Sequence, residues 1–445
     1  MGLTLAKALR FTSSSCLAIT GSGGKTTAMF QLARELSPPV ILTSTTHLGA
    51  WQIPLADHHY VATSSYELSN LKFEGVTLIT GPIIENNRTE SINQELLYWL
   101  RANSKVNNFS LVIEADGARQ KPIKAPRIHE PPIPSFVDSV IVITSLSALG
   151  KPLSEENVYF PDLFSKLSHL QLGQKITSES IARVLSHPLG GQKNIPKSAD
   201  RIAILNQCDT LELQAKAHNM VPSLLSNFNS VIITSLIEKY IFASHEPIVG
   251  IILAAGGSKR FGQPKQLLDW RGRPFVRSVA LTALEAGLKQ VVVVTGANAP
   301  LVEAAVTDLP VAIKRNDNWQ TGQASSIRAG IESITLNGNK RIGAAIFLLA
   351  DQPQIDPSVI RALIDYHAAG LDPIIAPMVM MEQRANPVLF DRITFPDLID
   401  LQGDVGGRGI FSRHHVEYMP WHDERLLLDV DKPEDYKRLI GDDTL

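Results

Sequence analysis

The sequence of 445 residues contains only two cysteines, Cys16 and Cys208, too few for a disulfide framework or a cysteine-rich zinc site. It also lacks an excess of either charge: 42 Lys and Arg face 44 Asp and Glu, so the net charge is −2 and no global positive field indicates a nucleic-acid partner. No apolar run approaches the roughly 18 residues that span a bilayer, and the N-terminus lacks a secretory signal pattern. We therefore expect a cytoplasmic protein with neither a nucleic-acid nor a membrane partner.

The length and composition fit an ordinary globular protein of two or three domains. A prior of about one domain per 150 residues suggests roughly three, with two large domains as the competitor. Short β-branched runs alternate with stretches of helical spacing, which predicts mostly parallel sheets covered by helices. A break after a polar stretch near residue 246 separates two α/β domains, 1–245 and 246–445. Strands are predicted over 16–20, 40–43, 77–80, 111–114, 140–144, 202–206 and 231–234, and then over 249–254, 290–295, 310–314, 344–349 and 373–378.

The second domain opens with a strand and a loop that combines glycines with cations: Gly256, Gly257, Ser258, Arg260, Gly262 and Lys265. Glycines let backbone N–H groups approach phosphate oxygens closely. The two cations can neutralise a triphosphate as charge moves onto the leaving pyrophosphate, so we assign them as catalytic. The alternative interpretation is a glycine turn with solvated charges.

Carboxylates at two later positions could complete this site with a metal ion. Asp351 ends the predicted strand 344–349 and is the first candidate, catalytic and metal-binding, because Mg²⁺ prefers oxygen ligands. Asp429 and Asp431 are predicted to end another strand at positions i and i+2, which point to the same side. The alternatives remain open: Asp351 could cap a turn, and Asp431 could cap a helix.

Residues 248–440 resemble the MobA-like nucleotidyltransferases, and within them the molybdenum cofactor cytidylyltransferases. The resemblance rests on the glycine loop, on the segment from Thr321 to Gly330, on the Asp351 strand end and on Asp429-Val-Asp431. It implies a Rossmann-like, glycosyltransferase-A-like domain that transfers CMP from CTP to molybdopterin-bound molybdenum with Mg²⁺ and releases pyrophosphate. It also implies further nucleotide-binding residues: Leu253, Ala254, Ala255, Thr295, Gly296, Gly322 and Ser325.

The first domain has a glycine-lysine loop between a strand and a helix, the position of a phosphate cradle. In this loop Lys25 would contact terminal phosphates and Thr26 could bind Mg²⁺. A full Walker A motif needs glycine at position 19, where this chain has Ile19, so the loop is closer to the shortened form of Mur ligases. We therefore predict a P-loop-like, Mur-ligase-type domain with nucleotide-binding residues Gly21, Ser22, Gly23, Gly24, Lys25, Thr26 and Thr27.

Other strand ends of this domain carry polar residues. Glu114, with Asp116 two residues on, occupies a Walker B-like position and could hold a metal or orient water. Asn206 and Asp209 are similar to a base-reading element of small GTPases, although an Asx turn is an equal alternative. Thr43 to His47 could face a phosphate or form only a capped loop.

Residues 8 to about 240 resemble the YqeC-like family, whose members are regarded as accessory proteins of selenium-dependent molybdenum hydroxylases. The matches are the glycine-lysine loop, Thr43 to His47, Glu114 to Ala118 and Asn206 with Asp209. This resemblance implies binding of a second NTP and an apo molybdenum hydroxylase of the xanthine dehydrogenase family as partner. It does not imply a defined reaction.

Three hypotheses follow from the sequence. The leading one is a cytidylyltransferase fused to an NTP-binding accessory domain, with small-molecule substrates. The second is an NTP transferase that uses another base or a sugar or alcohol phosphate acceptor. The third is a cofactor-binding chaperone that inserts molybdenum cofactor into an apoenzyme.

Overall fold

A computed structural model describes residues 2–84, 87–258, 261–335, 342–380 and 383–441. The chain divides into two compact units, Met1–His245 (unit 1) and Glu246–Leu445 (unit 2), each with its own sheet and core. Both units are α/β with largely parallel sheets. None of the helices in the described ranges has the length and apolar character needed to cross a membrane.

Unit 1 is built around a nine-stranded sheet in the order β13-β12-β11-β9-β1-β7-β2-β4-β3, parallel except for β13. Its central strands are apolar and buried on both faces, as expected when helices cover a parallel sheet. The strands of unit 1 are β1 (Cys16–Gly21), β2 (Val40–Ser44), β3 (His58–Val61), β4 (Val76–Thr80), β5 (Ile83–Ile84), β6 (Arg88–Thr89), β7 (Ser110–Glu114), β8 (Ile123–Lys124), β9 (Ser139–Ser145), β10 (Val158–Tyr159), β11 (Asp200–Asn206), β12 (Ser230–Ser235) and β13 (Tyr240–His245).

The helices of unit 1 mostly begin at side-chain caps. The side chains of Asn93 and Thr210 each accept a hydrogen bond from the backbone N–H of the third residue of their helix, which satisfies a donor that a helix start leaves open. The helix that begins at Lys25 has no such side-chain cap, because Gly24 with φ 140° precedes it. The helices are α1 (Leu5–Ala8), α2 (Lys25–Glu35), α3 (Gln94–Val106), α4 (Pro161–Ser168), α5 (Ser178–Ser186) and α6 (Leu211–Leu224).

Unit 2 contains a mixed sheet in the order β18-β17-β14-β19-β22-β20-β21, with β23 pairing with β20. The half formed by β18, β17, β14 and β19 is parallel, whereas β22 runs antiparallel between β19 and β20. The strands are β14 (Ile248–Ala254), β15 (Asp269–Trp270), β16 (Arg273–Pro274), β17 (Gln290–Thr295), β18 (Ala312–Arg315), β19 (Ala344–Leu349), β20 (Ile374–Val379), β21 (Gln383–Arg384), β22 (Val388–Asp391) and β23 (Val416–Trp421).

Helices cover both faces of this sheet and create two apolar layers. Ile252 of β14 packs into one layer and Ile251 into the other, the alternation of a strand buried on both sides. The helices are α7 (Phe275–Glu285), α8 (Ala299–Ala304), α9 (Gln323–Thr335), α10 (Pro357–Gly370), α11 (Phe395–Ile399) and α12 (Pro433–Gly441).

The prediction of a strand that ends at Asp429 and Asp431 is wrong. Residues Glu424–Leu427 form a 3₁₀ turn, and the chain from there to α12 is irregular. Leu426 and Val430 of this region are both buried in the core, but without strand pairing. The two carboxylates therefore do not share a strand face.

Candidate functional site

In unit 2 the glycine loop follows the carboxyl end of β14 and is held by a buried amide. The Gln266 side chain, 5% exposed, donates from Nε2 to the carbonyl oxygens of Ala254 (3.3 Å) and Gly256 (2.7 Å). The Lys265 backbone N–H donates to Ser258 Oγ at 3.0 Å. These bonds fold the loop back on itself and place the Lys265 side chain beside the strand end.

Lys265 joins two carboxylates that come from distant parts of the chain. Its Nζ donates to Asp351 Oδ2 and to Asp431 Oδ1, both at 2.9 Å. Asp351 follows β19, which pairs with β14, and Asp431 lies just before α12. Burial alone would lower the pKa of Lys265, but the two carboxylates outweigh it and raise that pKa above its usual value.

A third carboxylate, Asp429, lies in the same cluster. Its Oδ1 accepts a hydrogen bond of 2.5 Å from Nε2 of Gln352, a side chain that is only 1% exposed. Burial, together with the charges of Asp351 and Asp431, raises the pKa of Asp429. Negative charge is thus concentrated at this point, and a divalent cation would offset it.

These groups open onto a cleft of about 650 Å³ between the glycine loop and the segment that leads into α9. On the far wall Gly322 has φ 111°, and a Cβ there would lie 2.4 Å from the carbonyl carbon of Gly403, so only glycine fits. The lining residues are Leu253, Ala255, Gly256, Gly257, Ser258, Phe261, Lys265, Gln266, Trp319, Gln320, Thr321, Gly322, Gln323, Ser326, Leu349, Ala350, Asp351, Asp404, Asp429 and Asp431.

Several residues predicted from the sequence to bind nucleotide support the walls instead of lining them. Thr295 donates to Glu303 Oε1 at 2.9 Å, and Ser325 accepts from Asn316 Nδ2 at 2.8 Å. Gly296 lies so close beneath the loop that a Cβ would meet the Ala255 oxygen at 2.7 Å. Ala254 and Gly262 are likewise not in the lining, and Arg260 lies outside the described residues.

The amides that hold this site and two of the side chains on its far wall were not predicted from the sequence. Gln266 and Gln352 act through contacts with residues distant in the sequence or with backbone groups, and no local pattern identifies such partners. Trp319 and Asp404 line the cleft. Both residues lie close to glycines in the sequence, and this proximity was the signal that could have identified them.

In unit 1 the lysine of the glycine-lysine loop is enclosed. Lys25 Nζ donates to the Gly21 oxygen at 2.8 Å and lies 3.2 Å from Asp116 Oδ1 and 4.0 Å from Glu114 Oε1. Asp116, 2% exposed, also accepts from Lys124 Nζ at 2.9 Å and from the Gly21 N–H at 3.0 Å. The cavity beside Gly21 and Asp116 measures only about 30 Å³.

Burial and charge act in opposite directions on this cluster. Burial would lower the pKa of Lys25, but Asp116 and Glu114 raise it above its usual value. Burial raises the pKa of Glu114, against the influence of Lys25. Thr26 Oγ1 donates to Glu114 Oε2 at 3.3 Å. A hydroxyl oxygen and a carboxylate oxygen therefore lie side by side, and both are ligand types that hard cations such as Mg²⁺ prefer.

The Asn206 side chain contacts the glycine loop of unit 1. Its Nδ2 donates to the Gly23 oxygen at 2.6 Å, and its Oδ1 accepts from the Leu236 N–H at 3.0 Å. It therefore fixes the glycine loop. Asp209 is exposed, and the described residues include no partner for it at the loop. Of the other predicted nucleotide-binding residues, Ser22 donates to the Pro122 oxygen, and Thr27 is exposed on α2.

An α/β unit that sets a glycine loop, a lysine and clustered carboxylates around an open cleft has the architecture of a nucleotidyltransferase. Residues 250–418 match the model of the MobA-like NTP transferase domain, and residues 17–162 match that of the YqeC protein. The chain therefore belongs to the MobA-like NTP transferase family through unit 2 and carries a YqeC-family domain in unit 1.

Individual relatives match a little under half of the chain each. Nicotine blue oxidoreductase of Paenarthrobacter nicotinovorans is 32% identical over 204 residues, which is 43% of this chain and 96% of that protein. The uncharacterized protein YqeC of Escherichia coli K12 is 27% identical over 223 residues, 45% of this chain and 80% of that one. A probable molybdenum cofactor guanylyltransferase of Bacillus mycoides is 23% identical over 195 residues, 42% of this chain and 92% of that one.

Proposed function

We propose that unit 2 transfers CMP from CTP to the terminal phosphate of molybdenum cofactor, for the maturation of molybdenum hydroxylases. The observation that carries the proposal is Lys265, which contacts Asp351 and Asp431 beside the glycine loop. The name of the guanylyltransferase relative supports the acceptor, whereas the choice of cytosine follows the sequence resemblance. A cofactor phosphate oxygen would form a bond to the α-phosphorus of CTP as the bond to pyrophosphate breaks.

The residues of the cleft fit this reaction without a protein nucleophile. Backbone N–H groups of Gly256 and Gly257 and the Lys265 ammonium would bind the triphosphate, and Asp351, Asp429 and Asp431 would hold Mg²⁺. The cation would supply charge stabilisation for the departing pyrophosphate. Arg260, assigned from the sequence, would add a second positive charge.

The direct test measures pyrophosphate release by the full chain with Mg²⁺, molybdenum cofactor and each of the four NTPs in turn. We expect release that requires both CTP and the cofactor, and a loss of about 100-fold or more in Asp351→Asn. Asp308→Asn, an exposed carboxylate paired with Arg277, is the matched control. Release with GTP alone among the four would overturn the base assignment, and release without cofactor would overturn the acceptor.

For unit 1 we propose a nucleoside triphosphate site of the Mur-ligase P-loop type. The loop Gly21 to Gly24, the uncapped start of α2 and the pairing of Thr26 with Glu114 support it. Lys25 would leave the Gly21 oxygen to contact phosphate, and Thr26 with Glu114 would hold Mg²⁺. Through this unit the protein would act on an apo molybdenum hydroxylase, its proposed partner. Loss of Mg²⁺-dependent nucleotide binding in Lys25→Ala, measured by calorimetry, tests the site.

A further inference from the structure

Unit 1 contains a group of buried side-chain oxygens that have no hydrogen-bond partner among the described residues. They belong to the end of β2, to the segment that follows it and to β6. Thr43 is fully buried and Thr89 is 1% exposed, so solvent does not satisfy them. Buried polar groups in native proteins are nearly always paired, and each exception calls for a ligand, a water or another explanation. The atoms are Oγ1 of Thr43, Thr45, Thr46 and Thr89 and Oε1 of Gln52.

Part of this group adjoins the phosphate loop of unit 1. The Thr45 N–H donates to the Glu114 backbone oxygen at 3.0 Å, so the segment leaves β2 beside the end of β7. Gln52 Nε2 donates to Thr26 Oγ1 at 3.2 Å, and Thr26 in turn donates to Glu114. Thr45 and Gln52 thus adjoin the residues that would hold the metal, and Thr46 follows Thr45 directly in the chain.

The segment that carries the hydroxyls is fixed by its own hydrogen bonds. The Thr46 N–H donates to Ser44 Oγ at 2.9 Å, and that hydroxyl donates to the Thr46 oxygen at 2.5 Å. The Thr89 N–H donates to the Leu48 oxygen at 2.9 Å, which ties the segment to β6. The positions of Thr45 and Thr46 are therefore set before any ligand arrives.

We propose that Thr45, Thr46 and Gln52 bind the terminal phosphate of the nucleotide in unit 1 together with a water beside it, and so distinguish a nucleoside triphosphate from a diphosphate. This inference rests on the proposed nucleotide site of unit 1. A threonine hydroxyl can donate to a phosphate oxygen, whereas the free Oε1 of Gln52 can only accept, which suits a water next to that phosphate. The site then responds to hydrolysis of its nucleotide.

The test compares the affinity of the full chain for a non-hydrolysable β,γ-imido triphosphate with its affinity for the corresponding diphosphate. Calorimetry is run with Mg²⁺ and the adenine and guanine pairs, and the part of the binding that Lys25→Ala abolishes is assigned to unit 1. The variant Thr45→Val/Thr46→Val keeps the side-chain shape and removes both hydroxyls. The control is Thr77→Val, a buried threonine of β4 whose hydroxyl is already bonded to the Glu74 oxygen.

We expect the preference of the wild type for the triphosphate to fall at least about tenfold in the double variant, with unchanged diphosphate affinity, because hydrogen bonds to charged phosphate are lost. The control keeps the wild-type ratio. Because valine replaces hydroxyls that have no partner among the described residues, the melting temperature of the double variant does not fall. An unchanged ratio in a double variant that still binds nucleotide overturns the inference alone. No Lys25-dependent binding in the wild type overturns the proposed nucleotide site and the inference with it.

Discussion

In both units a lysine from a glycine loop neutralises two carboxylates, but the two sites differ in how far they are enclosed by the protein. Lys25 lies beside Glu114 and Asp116 at the end of a parallel strand, and Lys265 lies between Asp351, which follows a parallel strand, and Asp431, which lies in the irregular segment before α12. The Lys25 side chain is 7% exposed next to a cavity of about 30 Å³, whereas the Lys265 side chain is 15% exposed in a cleft of about 650 Å³.

Because of this difference in enclosure, we expect the two sites to differ in how easily they bind a nucleotide and in how much their charged clusters stabilise the fold. The unit 2 cleft has room for a nucleotide as it stands, and Lys265 needs only to turn from carboxylate to phosphate. In unit 1 Lys25 must break a buried contact with Asp116 and the Gly21 oxygen before it can reach a ligand. We infer that the unit 1 cluster contributes more to folding and the unit 2 cluster more directly to chemistry.

The largest expected effect is on catalysis in unit 2. Lys265→Ala removes the cation that faces both carboxylates and the triphosphate, and we expect pyrophosphate release to fall about 100-fold to 1000-fold. Steady-state rates with CTP and cofactor check this. The control is Lys437→Ala, an exposed lysine of α12, and a Lys265→Ala rate equal to that of the control would contradict the assignment of the cleft.

A second difference is expected in stability. Asp116→Asn leaves Lys25 and Lys124 buried with less compensating charge, and we expect it to lower the free energy of unfolding of unit 1 by about 3 kcal/mol. Asp351→Asn leaves Lys265 its contact with the exposed Asp431, so the loss in unit 2 should be about 1 kcal/mol or less. Urea titration followed by hydrogen exchange of peptides from each unit measures both. Equal losses of unfolding free energy in the two variants would contradict the inference that the more enclosed cluster of unit 1 contributes more to folding.

The smallest effect concerns Asp429, whose pKa is raised by burial and by its carboxylate neighbours. The folded state then holds the proton more tightly than the unfolded state, so this group stabilises below its ordinary pKa of 3.8 and loses that contribution as the pH rises through the folded value. Asp429→Asn should therefore stabilise unit 2 at pH 7, by at most about 1 kcal/mol because solvent reaches part of the carboxylate.

Urea midpoints of wild type and Asp429→Asn between pH 7 and pH 4 check the sign. The advantage of the variant should shrink as the pH falls, while its metal-dependent activity is reduced throughout. A variant that is less stable than wild type at pH 7 would mean that the carboxylate cluster stabilises the apo fold.

The sequence predicted the strands that carry the sites more reliably than the contacts between them. The predicted strand 290–295 agrees with β17, and 344–349 agrees with β19, because buried parallel strands are continuous apolar runs. The antiparallel strand β22 and the edge strand β13 were not predicted. Their pairing depends on the sheet around them.

Within the sites, the sequence identified the chemical groups and not their supports. Lys265 and Asp351, 86 positions apart, were both chosen from local motifs, and the structure brings them to 2.9 Å. Asn206 was interpreted either as a reader of a base or as part of an Asx turn, and its contact with the glycine loop was not foreseen, since an asparagine at a strand end gives no local sign of its partner. The roles of Gln266 and Gln352 depend on the same kind of tertiary contact.

The central claim is that the Lys265 cleft joins a nucleotide to molybdenum cofactor. Mass spectrometry of the cofactor after incubation with the full chain, CTP and Mg²⁺ tests it most directly. We expect a product that has gained one CMP, formed by the wild type and by Asp308→Asn but not by Asp351→Asn. A cofactor of unchanged mass with every NTP, or the same product yield from Asp351→Asn as from the wild type, would contradict it.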